Sequence, residues 1–466
     1  MGERPSQEIG RLHRAARVGE RRWMFIILAG GLLALLAPLP YSGDLRSPSS
    51  GYLVLTVSAT FLLYLAIFIV GRRGAEPGRR MVLVVALLLR LAMLPMTPSL
   101  SDDAYRYLWD GRLLLHGINP YHHVPADTAL TRFHDDLFLL QGYPATPTIY
   151  PPGAQVVFAA SMAVAEAFGG SYRLGFLVLK LLMIAGEVMA LWILLLLLES
   201  LGRPRREALL YAWHPLVVVE LAGQGHTDVF WVLALGLALL GYHRQRMGGG
   251  VPGLALGGIL RLFPLAFIPL WGRFLGMRWW LRGLLLSLPI LLLFLPLLAP
   301  QVLERYTTLL AHFTNYYEFN GGFYYGVKAI IDELRLRPSN VIAGGIGTGV
   351  QLVLFLLIWY APPRDRSLPV LAWRALLLVT VQIVLGAKVH VWYFTAPLYL
   401  LPLVSCRALR RAWLWALLIA PFTYLAYAAA PPRESMTIVA LEWGGFALLA
   451  AWDGLRSRRG KPVQPG

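Results

Sequence analysis

The stretch LGFLVLKLLMIAGEVMALWILLLLL runs from Leu174 to Leu198 and contains only two charged side chains, Lys180 and Glu187. A helix of about 20 predominantly apolar residues crosses the hydrocarbon core of a bilayer. The stretch therefore predicts a transmembrane helix. Lys180 and Glu187 are seven residues apart, so they lie two turns apart on one face of that helix. They serve either as packing contacts with other spans or as part of a substrate groove.

Apolar runs recur along the whole chain. The others are Trp23–Leu39, Tyr52–Val70, Met81–Pro95, Val156–Phe168, Ala208–Leu221, Val229–Leu240, Leu284–Leu298, Val350–Tyr360, Val370–Leu385, Trp392–Val404, Ala412–Ala430 and Ile438–Trp452. The chain is 57% hydrophobic and 14% charged, whereas soluble domains carry about 25% charged residues. This composition predicts one all-α, polytopic integral membrane domain over residues 1–466, with about 11–13 transmembrane helices.

The net charge of +17 comes from arginines clustered between the apolar runs. Positive-inside topology places such clusters in cytoplasmic loops, so the charge does not indicate nucleic-acid binding. The arginines at positions 11, 14, 17, 21 and 22 precede the first apolar run, and no good cleavage site follows it. We therefore expect an uncleaved first span with a cytoplasmic N-terminus. The single cysteine, Cys406, excludes an internal disulfide and a cysteine-based metal site.

Alternation of the spans places the loop 97–152 on the periplasmic or extracellular side, and its six Asp against three Arg agree with that side. A second external loop is expected at 300–340. Two segments break the alternation. An odd number of crossings must join Pro152 to Gly202, yet two apolar runs lie there. The segment Val251–Trp271 begins and ends at cytoplasmic-looking loops, and its prolines and glycines predict a broken or re-entrant helix.

The first external loop opens with SDDAYRYLWDGRLLLHGINPY, residues 101–121. We expect a helix from about Asp103, capped by Ser101 or Asp102 and stopped at Gly117. Aromatic and basic side chains share one face of it, which is typical of an amphipathic helix at a membrane surface. The two adjacent carboxylates either favour the first turn of the helix or form a functional pair, in which each raises the pKa of the other.

This motif, with PTIYPPGAQ further on, resembles the GT-C superfamily of membrane glycosyltransferases, above all bacterial polyprenyl-phosphate-sugar-dependent enzymes of the mannosyltransferase kind. The segments WHPLVVVELAGQGHTD, RLFPLAFIPL and KVHVWYFTAPLYLLP match looser motifs of that family. The resemblance implies an Asp-bearing external loop, a lipid-phosphate sugar donor and inversion at the sugar carbon. Two spans before the Asp loop are a departure, because many relatives place that loop after the first span.

Such chemistry needs a base for the acceptor hydroxyl and cations for the departing phosphate. We expect Asp103 to be the base and Asp102 to orient it, although the reverse assignment stays open. The candidate phosphate ligands are Arg106, Arg261, Lys328 and Lys388. The candidate sugar or acceptor contacts are Tyr105, Trp109, Asn119, Tyr121, Tyr150, His226, Asp228, His390, Trp392 and Tyr393.

Several of these residues have a structural alternative. Arg261 also fits snorkelling toward the cytoplasmic face, and Asp228 fits capping of the helix that follows it. The aromatic residues after Lys388 also fit an interfacial belt. The aromatic loop around Glu318 and Asn320 is either a sugar-stacking surface or an ordinary interfacial loop. His226 and Asp228 have no visible third ligand, so we predict no metal and no cofactor.

The predicted function is transfer of a hexose, with mannose implied by the resemblance, from a polyprenyl-phosphate donor to a lipid-linked or glycan acceptor at the outer face of the membrane. The predicted partners are these substrates and membrane lipids, without nucleic acid. A transporter or flippase of a lipid-linked sugar is the alternative; transporters usually show internal repeats, which the chain lacks. An oligosaccharide ligase or polymerase would differ in the size of the transferred glycan.

Overall fold

Nearly all of the described chain is helical in the computed structural model, which describes residues 23–46, 52–72, 76–363, 365–404, 409–429 and 432–459. The arginines at positions 11, 14, 17, 21 and 22 and Cys406 lie outside these ranges. The first ten helices are α1 Trp23–Tyr41, α2 Tyr52–Arg72, α3 Arg79–Leu91, α4 Asp103–Leu115, α5 Asp136–Leu140, α6 Pro152–Ala167, α7 Tyr172–Ser200, α8 Leu209–Ala212, α9 Pro215–Val217 and α10 Asp228–His243. The next ten are α11 Val251–Leu260, α12 Ile268–Leu275, α13 Met277–Leu291, α14 Pro300–Tyr316, α15 Gly322–Glu333, α16 Ser339–Tyr360, α17 Leu368–Val384, α18 Thr395–Leu400, α19 Arg410–Ile419 and α20 Met436–Arg459.

Five helices within the described ranges are long and apolar enough to cross a membrane: Trp23–Tyr41, Tyr172–Ser200, Met277–Leu297, Ser339–Tyr360 and Met436–Arg456. A sixth span is obtained if Pro215–Gly223 and Asp228–His243, which are bent by 114° at the break between them, count as one. The other apolar runs form shorter helices. The all-α polytopic fold is therefore confirmed, while the number of spans stays a prediction.

The first break in the predicted alternation has a simple cause. Of the two apolar runs between Pro152 and Gly202, only α7 is membrane-length. The other run forms α6, which packs along α4 so closely that Gly111 has no room for a Cβ against the backbone of Phe158. A four-residue turn, 168–171, then leads into α7. Only one helix between the two loops is therefore long enough to cross a membrane, which is the odd number that the predicted alternation requires.

The second break is the broken helix that its prolines and glycines predict. Helix α11 ends at Leu260, a short 3₁₀ turn follows at Phe263–Phe267, and α12 completes the pair. Gly249, just before α11, lies against Leu275 at the end of α12, so the chain enters and returns at the same end of the bundle. Arg261 lies at the inner tip of this hairpin.

Two buried polar contacts tie α7 to α3. Arg90 Nη2 donates to Glu187 Oε1 at 2.7 Å, with both side chains almost fully buried. Lys180 Nζ donates to three backbone carbonyl groups just beyond α3, those of Met93, Leu94 and Met96, at 2.7–3.0 Å. Lys180 and Glu187 therefore both contact α3 or the residues just after it, which is the packing alternative given above.

The basic loops gather at one end of the bundle. Arg79 and Arg205 both donate to Glu199 at the end of α7, and Arg410 pairs with Glu207 at 2.8 Å. The other end of α7 lies against α4 and α6, where Gly175 contacts Met162. The loops predicted to be external meet at this second end. Which end faces the cytoplasm stays a prediction.

Candidate active site

A cavity of about 370 Å³ lies at the end of the bundle where the acidic loop, the hairpin tip and the late loops converge. Its walls come from segments far apart in sequence. The residues that line it include Arg46, Ser101, Asp102, Asp103, Arg106, Tyr107, Tyr143, Thr148, Tyr150, Thr227, Arg261, Phe263, Lys388, His390, Trp392, Tyr393 and Tyr427. Carboxylates and cations thus share one enclosed space with aromatic rings.

The two carboxylates occupy one wall, at the start of α4. The Ser101 hydroxyl accepts the backbone N–H of Asp103 at 3.2 Å, and the Asp102 carboxylate makes no capping bond. Asp102 Oδ1 instead lies 3.5 Å from Arg46 Nη1. Burial raises the pKa of Asp102, the Arg46 charge lowers it, and the charge of Asp103 raises it again.

Asp103 differs from its neighbour because its carboxylate has no hydrogen bond or ion pair with any described residue. The residue is half-buried and lines the cavity. Burial lowers the pKa of Lys388, and the negative charge of Asp103 partly opposes that shift. An unpaired, partly desolvated carboxylate of this kind can accept a proton from a bound hydroxyl group.

Arg261 lies on the opposite wall, held by the turn before α10. Its Nη1 atom is 2.8 Å from Asp228 Oδ2 and 3.3 Å from the Thr227 hydroxyl. Its guanidinium also lies over the ring of Tyr393, 5.2 Å from the centroid. Arg261 therefore points into the protein rather than toward the lipid surface. Asp228 makes no helix cap, because its carboxylate faces Arg261.

Lys388 is fixed in the cavity wall by backbone pairing between its loop and Phe319. The Phe319 N–H donates to Ala387 at 3.0 Å, and the Val389 N–H donates to Phe319 at 2.7 Å. The Lys388 ammonium lies 5.1 Å from the ring centroid of Tyr317. Burial lowers the pKa of Lys388, the charge of Asp103 raises it and the charge of Arg261 lowers it. The charges of both Asp103 and Arg261 therefore act on the Lys388 ammonium group.

Stacked rings form the floor beside Lys388. His226 stacks on Trp392 with centroids 3.7 Å apart, and Trp392 stacks on His390 at 4.2 Å. Phe319 continues the stack at 5.1 Å from His390. His226 Nδ1 donates to the Glu220 carbonyl at 3.0 Å, so His226 is buried behind Trp392 and does not line the cavity. His390, Trp392 and Tyr393 do line it, which fits contact with a sugar ring.

Arg106 and Tyr150 line the cavity on the side of the acidic loop. Arg106 Nε donates to Asp110 at 2.8 Å, and its Nη1 donates to the Thr146 carbonyl at 2.9 Å. These contacts join α4 to the loop before α6. The Asp110 carboxylate also compensates the Arg106 charge, as the Asp228 carboxylate compensates that of Arg261.

Besides His226 and Asp228, five predicted site residues lie outside the cavity. The Tyr105 hydroxyl donates to the Pro98 carbonyl, and Trp109 is buried between α4 and Phe138. The remaining three are Asn119, which accepts the Tyr121 N–H in a turn, Tyr121 itself, which donates to the Tyr150 carbonyl, and Lys328, which pairs with Glu318 at 2.8 Å. All five stabilise the surrounding loops, so the structure does not bring them to the two carboxylates.

Sequence reasoning missed Arg46, Tyr107, Tyr143 and Tyr427 as cavity residues. Arg46 carried a usable signal, because it is an arginine in a loop assigned to the side that positive-inside topology depletes of arginine. An arginine on that side is expected to have an acidic partner nearby, and here the partner is Asp102. The three tyrosines gave no signal, since tyrosine is common in any interfacial loop.

A second cavity of about 200 Å³ adjoins the first. The two share Arg261, Phe263, Lys388 and Tyr393. Beyond these residues, the second cavity is lined by Asp228, Trp231, Val379, Gln382 and Ile383 from α10 and α17. Its lining therefore combines the apolar side chains of Trp231, Val379 and Ile383 with the polar groups of Asp228, Arg261, Gln382 and Lys388. Within the described ranges, no three His, Cys, Asp or Glu side chains come close enough to hold a metal ion.

Comparisons with known proteins connect this site to one family. A family model described as alpha-(1->6)-mannopyranosyltransferase, N-terminal domain, matches residues 35–276, more than half of the chain. Alpha-(1->6)-mannopyranosyltransferase A of Mycobacterium tuberculosis (strain ATCC 25618 / H37Rv) is 29% identical over 160 residues. That match spans 34% of this chain and 29% of the relative. The family match includes Asp102, Asp103, Asp228 and Arg261 and ends before Lys388.

Proposed function

The chain belongs to the alpha-(1->6)-mannopyranosyltransferase family, and from that membership we propose that it transfers mannose from a polyprenyl-phosphate donor. The acceptor is a lipid-linked sugar or a glycan at the outer face of the membrane. The observation that carries the proposal is the cavity itself, where an unpaired carboxylate faces two cations across a space large enough for a sugar ring.

The reaction is a single displacement at the anomeric carbon. The acceptor oxygen forms a bond to that carbon while the bond from the carbon to the phosphate oxygen breaks. The acceptor proton goes to a carboxylate, and the electron pair leaves with polyprenyl phosphate. The configuration at the sugar carbon is inverted, because one displacement occurs. The phosphate is a good leaving group and needs only positive charge to receive it.

Asp103 is the base in this scheme, with Asp102 as its orienting neighbour. Asp102 is engaged by Arg46, whereas Asp103 is half-buried and unpaired within the described part of the chain. Asp102 thus already faces a cation of the protein, whereas the Asp103 carboxylate is free to accept a hydrogen bond from a bound hydroxyl group. This contrast supports Asp103 in the role that the sequence left open between the two.

Arg261 and Lys388 receive the phosphate. They lie where the two cavities meet, and both line each cavity. A phosphate at this junction leaves the larger cavity for the sugar and the acceptor. The second cavity, with Trp231, Val379 and Ile383 on its walls, then accommodates the first units of the prenyl chain. Burying that apolar surface contributes roughly 25 cal/mol per Å² to donor binding.

The test uses purified, folded protein with polyprenyl-phosphate mannose and a mannoside acceptor. We expect transfer by the unchanged protein and a loss of about 10²–10⁴-fold in kcat for Asp103→Asn, the range typical of removing a general base. Glu318→Gln serves as the control, because Glu318 pairs with Lys328 outside the cavity. Full activity of Asp103→Asn would overturn the assignment of the base.

The same preparation tests the alternative function. In sealed vesicles, a flippase moves the lipid-linked sugar between leaflets and forms no glycosidic bond. Mass spectrometry of the lipid extract separates the two outcomes, since transfer yields polyprenyl phosphate and a longer acceptor. Translocation of the donor without either product would replace the proposed function by transport.

A further inference from the structure

The segment between α3 and α4 carries the two carboxylates into the cavity, and it has no regular structure of its own. Residues 96–100 form no helix, so their buried N–H and C=O groups need partners from elsewhere. The carbonyl groups of Met93, Leu94 and Met96 are bound by Lys180. The N–H groups that follow, nearer to Asp102 and Asp103, are bound by a different side chain.

That side chain is Gln224, in the turn GQGHTD. Its Oε1 accepts the backbone N–H groups of Ser99 and Leu100 at 2.8 and 2.9 Å. Its Nε2 lies 3.0 Å from Met96 Sδ. Gln224 is 2% exposed, and it does not line the cavity. One amide oxygen therefore fixes two consecutive peptide groups immediately before the carboxylates.

Ser99 extends this contact to a third part of the cavity wall. Its hydroxyl accepts the Leu45 N–H at 3.1 Å, and Leu45 precedes Arg46, which faces Asp102. In the other direction, the turn that holds Gln224 continues into Thr227 and the carboxylate that binds Arg261. Gln224 thus joins the backbone of both walls of the cavity.

We propose that Gln224 is a positioning residue for the two carboxylates of the acidic loop. It sets the start of α4 relative to the Arg261 wall and so fixes the distance between the base and the bound sugar. The inference rests on the proposed function for its effect on rate, but not for the geometry. Because reacting groups must be held closely, a shift of about 1 Å here is expected to cost about 10²-fold in kcat.

Two substitutions separate the role of Gln224 as a hydrogen-bond acceptor from the effect of the size of its side chain. Gln224→Met keeps the length of the side chain and leaves two buried N–H groups without a partner. Gln224→Glu keeps an oxygen in the same place. We expect Gln224→Met to lower kcat about 10–100-fold with little change in the KM for the donor, and Gln224→Glu to restore most of kcat. Ser287→Ala, which removes a buried hydroxyl from α13, is the control for general damage.

The geometry is also measured without any assay of transfer. In a Cys406→Ser background, Asp102→Cys places one thiol at the cavity wall, and its labelling rate with a water-soluble maleimide reports the position of that wall. We expect Gln224→Met to change this rate at least several-fold, and Gln224→Glu to leave it nearly unchanged. The positioning role would be overturned if the residue at position 224 (Gln, Met or Glu) changed neither the labelling rate in the Asp102→Cys background nor kcat in the chain that keeps Asp102. Altered labelling with no mannosyl transfer by the unchanged chain would instead refute the proposed function alone.

Discussion

Replacing Arg261 with methionine separates the contribution of this residue to folding from its contribution to chemistry. Arg261 Nη1 lies 2.8 Å from Asp228 Oδ2, and the Asp228 side chain is 1% exposed. Removing one partner of a buried ion pair costs about 3–5 kcal/mol, because the other charge is left uncompensated. Since 27% of the Arg261 side chain is exposed, solvent reaches its end of the pair, and we expect the lower limit, about 3 kcal/mol.

The effect on chemistry is of similar size but has a different origin. If Arg261 receives charge on the departing phosphate, its loss resembles the removal of one donor from an oxyanion hole, which lowers kcat about 10²–10³-fold. A single variant cannot distinguish this loss from partial unfolding. The double variant Arg261→Met, Asp228→Asn can, because it also removes the stranded carboxylate.

We expect the double variant to recover most of the lost stability, since an apolar residue opposite a neutral amide leaves no buried charge. Its kcat should stay about 10²–10³-fold below that of the unchanged protein. The free energy of unfolding is measured in mixed detergent micelles, and transfer is measured with polyprenyl-phosphate mannose in the same micelles. Arg261→Lys is the control that keeps the charge. Recovery of activity together with stability in the double variant would refute the role of Arg261 at the phosphate.

Three further outcomes follow from contacts of single residues. Arg46→Met removes the charge that lowers the pKa of Asp102, so that pKa rises further. Because Asp102 orients the base, its protonation at higher pH should move the acid limb of the kcat profile to higher pH. Lys388→Met should lower kcat about 10²-fold or more, whereas Lys328→Met, outside the cavity, should change it less than about twofold. Glu187→Ala leaves the buried Arg90 without its partner and should lower the free energy of unfolding by about 3–5 kcal/mol. The KM of the folded protein for the donor should stay unchanged.

The all-α fold could be predicted because apolar composition alone decides it. Runs such as Leu174–Leu198 have one stable solution in a bilayer, a helix that pairs its own backbone groups. The broken segment Val251–Trp271 was predictable for the same reason, since proline and glycine interrupt that pairing. The span count was not, because runs such as Ala208–Leu221 divide into several short helices. Hydropathy measures how apolar a run is. It does not show whether neighbouring helices supply hydrogen-bond partners for the backbone groups that are left free where the run is interrupted.

The site was predictable where one residue type has few other uses. Adjacent carboxylates in a predicted external loop, and an arginine inside a broken helix, are costly unless a partner or a substrate compensates them. Asp103 and Arg261 accordingly line one cavity. Aromatic residues were less predictable, since Trp109 in the acidic loop is buried while Tyr150 nearby lines the cavity. A tyrosine or tryptophan serves as core and as binding surface equally well, so only tertiary packing separates the two roles.

The arrangement of charges explains why the two walls must be fixed so firmly. Asp102 is balanced by Arg46, and Asp228 by Arg261. Burial lowers the pKa of Lys388, and the charge of Asp103 partly opposes that shift. In the proposed reaction Asp103 gains a proton and loses its charge as the departing phosphate gains one. The net charge of the cavity is therefore constant, and one negative charge moves from the carboxylate wall to the cation wall. Before the reaction Lys388 interacts with the negative charge of Asp103, and after it Lys388 interacts with the added negative charge of the phosphate. Such an exchange needs no entry of solvent, provided that the two walls keep their separation throughout the transfer.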